Sequence, residues 1–173
     1  QSKCALGRNA YPLGHAHRIP LFLLVNILGG QGMNSRLNLA LREKYGFVYS
    51  IDALYTPYTD TGLFAVFFGT EPRQMNRCIS LIKKEFARFR DKPLSKPQLV
   101  SAKEQMKGQL AMGEENNLSL MLMMSRNVLD CGRVPTIEEV FEAIDSTNAE
   151  TIQAIAQDIF NDDKLSYYIM EPQ

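Results

Sequence analysis

The 173-residue chain is long enough to bury one sizeable hydrophobic core, and its 45% apolar composition is that of an ordinary soluble globular domain. Its 19 basic and 19 acidic residues give a formal net charge of zero, so the basic excess that nucleic-acid and anionic-membrane surfaces require is missing. No apolar run is long enough to span a bilayer, and the three scattered cysteines favour buried thiols over a thiolate metal site or a redox pair.

The first part of the chain predicts a strand, a buried helix and a glycine-rich loop. A short strand is expected within 2–10. A helix is expected over 15–28, where apolar residues fill nearly every side of the helix and therefore predict burial all round. Gly29, Gly30 and Gly32 follow, and we interpret them as a tight helix-to-helix turn whose backbone needs positive φ.

A second helix and an antiparallel hairpin follow the loop. The helix is expected over 34–44, begins with an Asn or Ser N-cap, and ends before Gly46. Aromatic and β-branched residues predict strands over 47–56 and 63–69, and the turn residues between them favour a hairpin.

The remaining sequence predicts consecutive helices and a closing strand. Capping and proline signals place helix starts near residues 71, 95, 114, 136 and 147, and a final strand is expected over 166–170. A hairpin followed by several helices is typical of an α+β fold, with a mostly antiparallel sheet and helices packed on one face. We expect 1–173 to be a single domain. The methionines of the helical part, at 106, 112, 121, 123 and 124, are interpreted as core filler rather than as an adaptable groove or soft-metal ligands.

The residue types in the sequence bear on three kinds of chemical site. His15 and His17 are two residues apart, which puts them on different faces of a helix; on a strand they would share a face and leave a surface metal site open. No Gly-x-Ser-x-Gly elbow is present for a serine nucleophile. The glycine loop could hold a phosphate at a helix N-terminus, but a helix precedes it and its spacing differs from the dinucleotide fingerprint.

Arg42 and Tyr49 are the more specific candidates for a functional site. Arg42 lies near a helix end and Tyr49 follows across a glycine turn, so the two place a guanidinium and a phenol near one end of the sheet. Both are donors suited to a carbonyl oxygen. Residue chemistry alone favours a structural role for each, because an arginine there stabilises the helix dipole and a tyrosine at a strand start is often half-buried. Arg36 and Lys44 are interpreted as solvated or salt-bridged.

Three segments together resemble one family of zinc peptidases. They read LGGxGMxSRL over 28–37, LREKxGxxYS over 41–50 and DxGLF over 60–64. The combined pattern is similar to the family of pitrilysin, insulin-degrading enzyme and mitochondrial processing peptidase, and specifically to the C-terminal half, which carries no zinc. The resemblance covers nearly the whole chain.

The resemblance implies an architecture of two similar α+β halves that close around an unfolded peptide. The N-terminal half of such proteins carries zinc on a His-x-x-Glu-His motif with a distal Glu. The C-terminal half contributes an Arg and a Tyr seven residues apart, which help bind the substrate backbone and the reacting carbonyl, and Arg42 and Tyr49 match that spacing. The glycines of the motif fall at Gly29, Gly30 and Gly32.

The sequence departs from a complete peptidase in one respect. Neither His-x-x-Glu-His nor His-x-x-x-His occurs in it, so the resemblance implies a chain that is inactive alone and binds no metal itself. Zinc is expected in a partner N-terminal half or in a separate catalytic subunit, with a peptide as the substrate. The start at Gln1, without Met, favours a processed product or a piece of a longer two-half polypeptide.

A non-catalytic role remains the main alternative. The same resemblance includes scaffold and peptide-presenting subunits of processing-peptidase-like complexes. A phosphate or nucleotide binder that uses the glycine loop is a third hypothesis, for which nucleotide-dependent thermal stabilisation would be the test. The sequence leaves open homo-oligomerisation, the peptide that is cleaved, and whether the compartment is cytoplasm or periplasm.

Overall fold

The fold is built on a four-stranded antiparallel sheet. The first and the last strand of the chain are neighbours in this sheet. A computed structural model describes residues 1–114 and 116–171. The strands are β1 (Ser2–Ala10), β2 (Val48–Pro57), β3 (Gly62–Thr70) and β4 (Ser166–Met170), in the order β2-β3-β1-β4. Because β1 pairs with both β3 and β4, the first and last parts of the chain meet in the sheet. The predicted hairpin is β2 and β3.

The helical part follows the predicted order. Its helices are α1 (Arg18–Gly29), α2 (Met75–Asp91), α3 (Lys96–Glu114), α4 (Asn117–Cys131), α5 (Ile137–Asp145) and α6 (Ala149–Ile159). Shorter turns of helix lie at Asn38–Glu43, which is π-helical, and at Pro72–Gln74 and Asp162–Lys164, which are 3-10.

Alternate residues of the strands face opposite sides of the sheet. Leu6, Val66 and Ala53 stand side by side in the register and are at most 9% exposed. The next position along, where Phe67 faces Asp52 across the strands, is exposed on the other side. One side of the sheet therefore carries the core and the helices, and the α+β fold with helices on one face is confirmed.

Helix α1 is the central element of the core. Leu21, Leu23, Leu24, Val25 and Leu28 are at most 4% exposed, as the all-round apolar pattern predicts. The helix contacts β2 of the sheet as well as α3, α5 and α6. It therefore joins the sheet to the outer helices.

An aromatic cluster fixes α2 and α6 on the sheet. The rings of Phe86 and Phe160 are stacked with centroids 4.4 Å apart, and Phe64 of β3 lies 5.2 Å from Phe160. All three side chains are fully buried. Such aromatic pairs add about 1 kcal/mol to the burial of their area, so the cluster is a strong link between the two layers.

Local capping signals hold for helices of the second half of the chain, whereas the predicted Asn or Ser cap before the π-helical turn is wrong, since Leu37 is the cap there and makes no side-chain cap bond. Thr136 and Glu139 form the complete capping box of α5, in which each side chain bonds the other residue's backbone N–H. At the second predicted box, Gln98 Oε1 accepts a hydrogen bond of 3.0 Å from the Ser95 N–H. Helix α6 is capped by Asn148, one residue after the predicted start.

The interpretation of the methionines as core filler is wrong for most of them. Met106 is 8% exposed and does pack in the core. The others have exposed fractions between 41% and 64%, namely Met112, Met121, Met123 and Met124. Helix α4, which carries three of them, has no buried residue among those described, because it lies on α3 as an outer layer.

None of the helices in the described part of the chain combines the length and apolarity that a bilayer crossing needs.

Candidate functional site

A cleft of about 1360 Å³ opens on the uncovered face of the sheet and brings Arg42 and Tyr49 together. It lies where β1 and β2 begin and where β3 and β4 end, so four strands contribute to its wall. Both residues line it. The two side chains that the sequence singled out are therefore on the same surface.

Arg42 is held by the π-helical turn. Its carbonyl oxygen accepts a hydrogen bond of 2.9 Å from the Gly46 N–H, which closes the end of the helix. Its side chain is 46% exposed and makes a single long ion pair, 3.9 Å to Glu43, among the described residues. An exposed pair at that distance contributes little, so the guanidinium is available to a ligand.

Gly46 turns the chain from the helix into β2. Its φ is +62°, a left-handed conformation that side chains with a Cβ rarely adopt. The following N–H, that of Phe47, bonds the Leu41 carbonyl at 3.0 Å. This tight turn leads the chain from Arg42 in the π-helical turn to Tyr49 near the start of β2, and both residues line the cleft.

A β-bulge presents Tyr49. Val48 pairs with Thr70 and Ile51 pairs with Phe68, so β2 carries one more residue than β3 across this interval. Tyr49 and the residue after it are consequently both exposed, and the tyrosine reaches 85% exposure. Bulges that re-aim side chains are common beside functional sites.

The glycines of the sequence motif lie away from this cleft. Gly29 is the last residue of α1, where a Cβ would come within 2.7 Å of the Ala53 Cβ on β2. The N–H of Gly30 bonds the Asn26 carbonyl at 3.0 Å. Gly29, Gly30 and Gly32 all lack positive φ, so the predicted conformational reason for them is wrong. At Gly29 the reason is close approach of the helix to the sheet.

Arg36 packs against the core instead of lying in solvent. Its guanidinium carbon stands 4.1 Å from the centroid of the Phe89 ring. Burial lowers the pKa of Arg36, and the buried Glu85 nearby acts in the opposite direction. Arg36 is therefore a structural cation, which corrects its interpretation as solvated or salt-bridged.

His15 stacks on a tyrosine, and His17 meets both of these rings edge to face. The His15 ring lies parallel to Tyr11 with centroids 4.2 Å apart, and its Nδ1 accepts a hydrogen bond of 3.0 Å from the His17 backbone N–H. Within residues 1–114 and 116–171, no three side chains of His, Cys, Asp or Glu are grouped so as to hold a metal ion.

Other cleft residues escaped the sequence analysis. Lys3, Asp52, Phe67 and Tyr168 all line the cleft. The alternation of β3 could have placed Phe67 on the uncovered face, because both of its neighbours are buried. Tyr168 could not have been placed, since the pairing of β4 with β1 joins distant parts of the chain.

The family model for the "Peptidase M16 inactive domain" matches residues 1–106. The "Uncharacterized zinc protease YmxG" of Bacillus subtilis is 30% identical over 163 residues, which are 94% of this chain and 40% of that protein. The "Uncharacterized zinc protease SCO5738" of Streptomyces coelicolor is 27% identical over 159 residues, 92% of this chain and 34% of that one. This chain therefore spans two fifths or less of the length of these relatives.

Solved structures share the fold. The peptidase M16 inactive domain from Pseudomonas fluorescens superposes with a TM-score of 0.85 at 20% identity, covering 97% of this chain and 40% of that one. A chain of Complex III2 from Candida albicans gives 0.84 at 17% identity, covering 97% and 42%.

The resemblance seen in the sequence is thus confirmed by a model that covers more than half of the chain and by relatives named as zinc proteases. The chain belongs to the inactive-domain family of the M16, pitrilysin-like zinc peptidases.

Proposed function

We propose that 1–173 is a single domain that forms the zinc-free C-terminal half of a two-half zinc metallopeptidase. In this role it helps to enclose an extended peptide, supplies Arg42 and Tyr49 to it, and is inactive alone. Support comes from the inactive-domain family and from relatives that are named zinc proteases and extend well beyond the matched part.

The single observation that carries the proposal is the shared cleft of Arg42 and Tyr49. Both side chains line it, both are exposed, and the arginine has only a weak ion pair. A guanidinium and a phenol aimed at one oxygen stabilise the negative charge that grows on a peptide carbonyl during hydrolysis. Removing one such donor typically costs about 3 kcal/mol of transition-state stabilisation.

The proposal places the zinc in the other half. Zinc would supply a bound water with a lowered pKa and would polarise the carbonyl there. What this chain provides is orientation of the peptide and donors to its carbonyl.

The edge of the sheet offers a way to hold the peptide backbone. In the described part of the chain β2 pairs with β3 alone, so its outer edge has unpaired N–H and C=O groups. An extended peptide can add to such an edge as another strand. Tyr49 lies on this same strand, so a peptide added there would pass beside the phenol.

The test is turnover in the complete protein that contains the zinc-bearing half. Arg42→Ala and Tyr49→Phe should each lower kcat for peptide hydrolysis by about a hundredfold, because each loses a donor to the transition state. Matched controls are Arg126→Ala and Tyr58→Phe, an exposed arginine and an exposed tyrosine outside the cleft. They should keep wild-type rates, and thermal unfolding should show that all four proteins fold.

The same experiment separates the scaffold alternative. A subunit that only assembles a complex or presents peptides does not need either donor. Wild-type turnover in both Arg42→Ala and Tyr49→Phe would contradict the proposal and favour the scaffold.

A further inference from the structure

Two exposed aromatic residues flank Ala5 on the uncovered face of the sheet, inside the cleft. Ala5 of β1 pairs with Phe67 on one side and with Tyr168 on the other. The exposed fractions are 41% for Phe67 and 67% for Tyr168, and both side chains line the cleft. We call Ala5, Phe67, Gly69 and Tyr168 the aromatic slot.

The floor of the aromatic slot is made of residues with little or no side chain. Ala5 offers one methyl group between the rings. Gly69, next to Phe67 on the same side of β3, offers none, but the side chain of Gln1 lies over it, 3.3 Å from where a Cβ would stand. The part of the slot that is open to a ligand is therefore the space above Ala5, which lines the cleft.

The width of the slot matches one inserted side chain. Neighbouring strands are about 4.8 Å apart, so Phe67 and Tyr168, two strands apart, are separated by roughly 10 Å. A ring placed midway would lie about 5 Å from each wall, which is within the range of favourable aromatic pairs.

The rim of the slot is polar and carries both signs of charge. Lys3 lies beside Gly69 in the register, and Asp52 lies beside Phe67. Neither takes part in an ion pair among the described residues. An ammonium donor and a carboxylate acceptor complement the C=O and N–H of a peptide backbone, whereas a plain hydrocarbon would leave both unused.

We propose that the aromatic slot binds a bulky apolar side chain, aromatic or leucine, of the peptide on which Arg42 and Tyr49 act. This rests on the proposed function, because slot and donors line one cleft. The floor of the slot at Ala5 lies two strands across and two residues along from the bulge that carries Tyr49, so it is roughly 12 Å from that bulge. An extended peptide that crosses the uncovered face of the sheet from Tyr49 towards β1 would place there a side chain about three to four residues from the held carbonyl, whereas a peptide added to the outer edge of β2 would not reach the slot.

The test uses the complete protein and fluorescein-labelled Gly-Ser peptides that carry a single Phe or, at the same position, a single Ala. The position of the Phe is moved along the peptide. At one position, the wild-type protein should bind the Phe peptide, and cleave it by kcat/KM, about tenfold better than the Ala peptide. The Phe67→Ala/Tyr168→Ala double variant should lose this preference and handle the Ala peptide as the wild type does.

Two further variants sharpen the test. Ala5→Leu fills the slot and should also abolish the preference. Leu63→Ala removes an exposed side chain from the same strand and the same face outside the cleft, and should retain it. A preference that survives in both slot variants, or that is equally lost in Leu63→Ala, overturns the proposal.

The measurements distinguish failure of the aromatic slot from failure of the proposed role of Arg42 and Tyr49. If Arg42→Ala and Tyr49→Phe keep wild-type turnover while the slot variants lose the Phe preference in binding, the slot stands and the role of the two donors falls. If the donors matter and no Phe preference exists at any peptide position, the slot falls alone.

Discussion

Gly46 determines how Arg42 and Tyr49 reach the same cleft. Its left-handed backbone allows the chain to leave the π-helical turn and enter β2 with only four residues, 44–47, between them. The space around it is open, since a Cβ placed there would meet nothing within 4 Å. Any cost of a side chain at this position is therefore a cost of backbone conformation alone.

We expect Gly46→Ala to destabilise the protein by about 1 kcal/mol, because an alanine in the left-handed region places its Cβ too close to the backbone carbonyl. Gly108→Ala is the matched control, since that glycine lies inside α3 with equally open surroundings and alanine favours a helix interior. Urea unfolding should move the two midpoints in opposite directions. A shift of the same sign in both variants would contradict the conformational explanation.

At the scale of single residues, the sequence predicts features that depend only on neighbouring positions. The spacing of Arg42 and Tyr49 is visible in the sequence, and their joint exposure at one cleft agrees with it. Arg36 lies in the same motif, yet its partner is Phe89 at the far end of α2. That contact depends on tertiary packing, which no local pattern contains.

The bulge in β2 is the element that local propensity does not predict. Aromatic and β-branched residues identify the strand, but the extra residue opposite Gly69 appears only when β3 is aligned with it. The hairpin and the helix caps were predictable, because turn and capping residues act within a few positions. The exposed methionines of α4 were not, since helical spacing cannot tell an outer layer from a core.

The apolar residues of helix α4 should contribute little to the free energy of unfolding. Leu122 is 59% exposed, so Leu122→Ala should change the free energy of unfolding by no more than about 0.5 kcal/mol. Leu28→Ala, at a fully buried position of α1, should cost about 2–5 kcal/mol. Urea titration of both variants measures the difference. A loss at Leu122 as large as at Leu28 would show that α4 is buried in solution.

The stability that the capping box of α5 contributes should depend on pH. Hydrogen bonds from Arg133 and from the Thr136 N–H hold the pKa of the Glu139 carboxyl below its ordinary value. A lowered folded-state pKa adds stability above the unfolded pKa, and that stability is lost as the pH falls through the folded pKa.

Wild-type protein should therefore be more stable than Glu139→Gln at neutral pH, and the gap should close in acid. Thermal unfolding of both proteins across the acid range is the measurement. A stability difference that does not vary with pH would show that the charge of Glu139 has no part in the cap.

At the scale of the whole molecule, the sheet joins the beginning and the end of the described chain. Strand β1 lies between β3 and β4, and all four strands end or begin at the cleft. The fold class could be inferred from the order of strands and helices, whereas the strand order could not, because it depends on pairings between distant segments. The cleft exists only once those pairings form.

A double-mutant cycle in the complete protein tests the central claim most directly. Turnover would be measured for wild type, Arg42→Ala, Tyr49→Phe and the double variant. If both donors hold one carbonyl oxygen in the transition state, each single change lowers kcat by about a hundredfold and the double change costs less than the product of the two. Wild-type turnover in the single variants, or losses that multiply independently, would contradict the account.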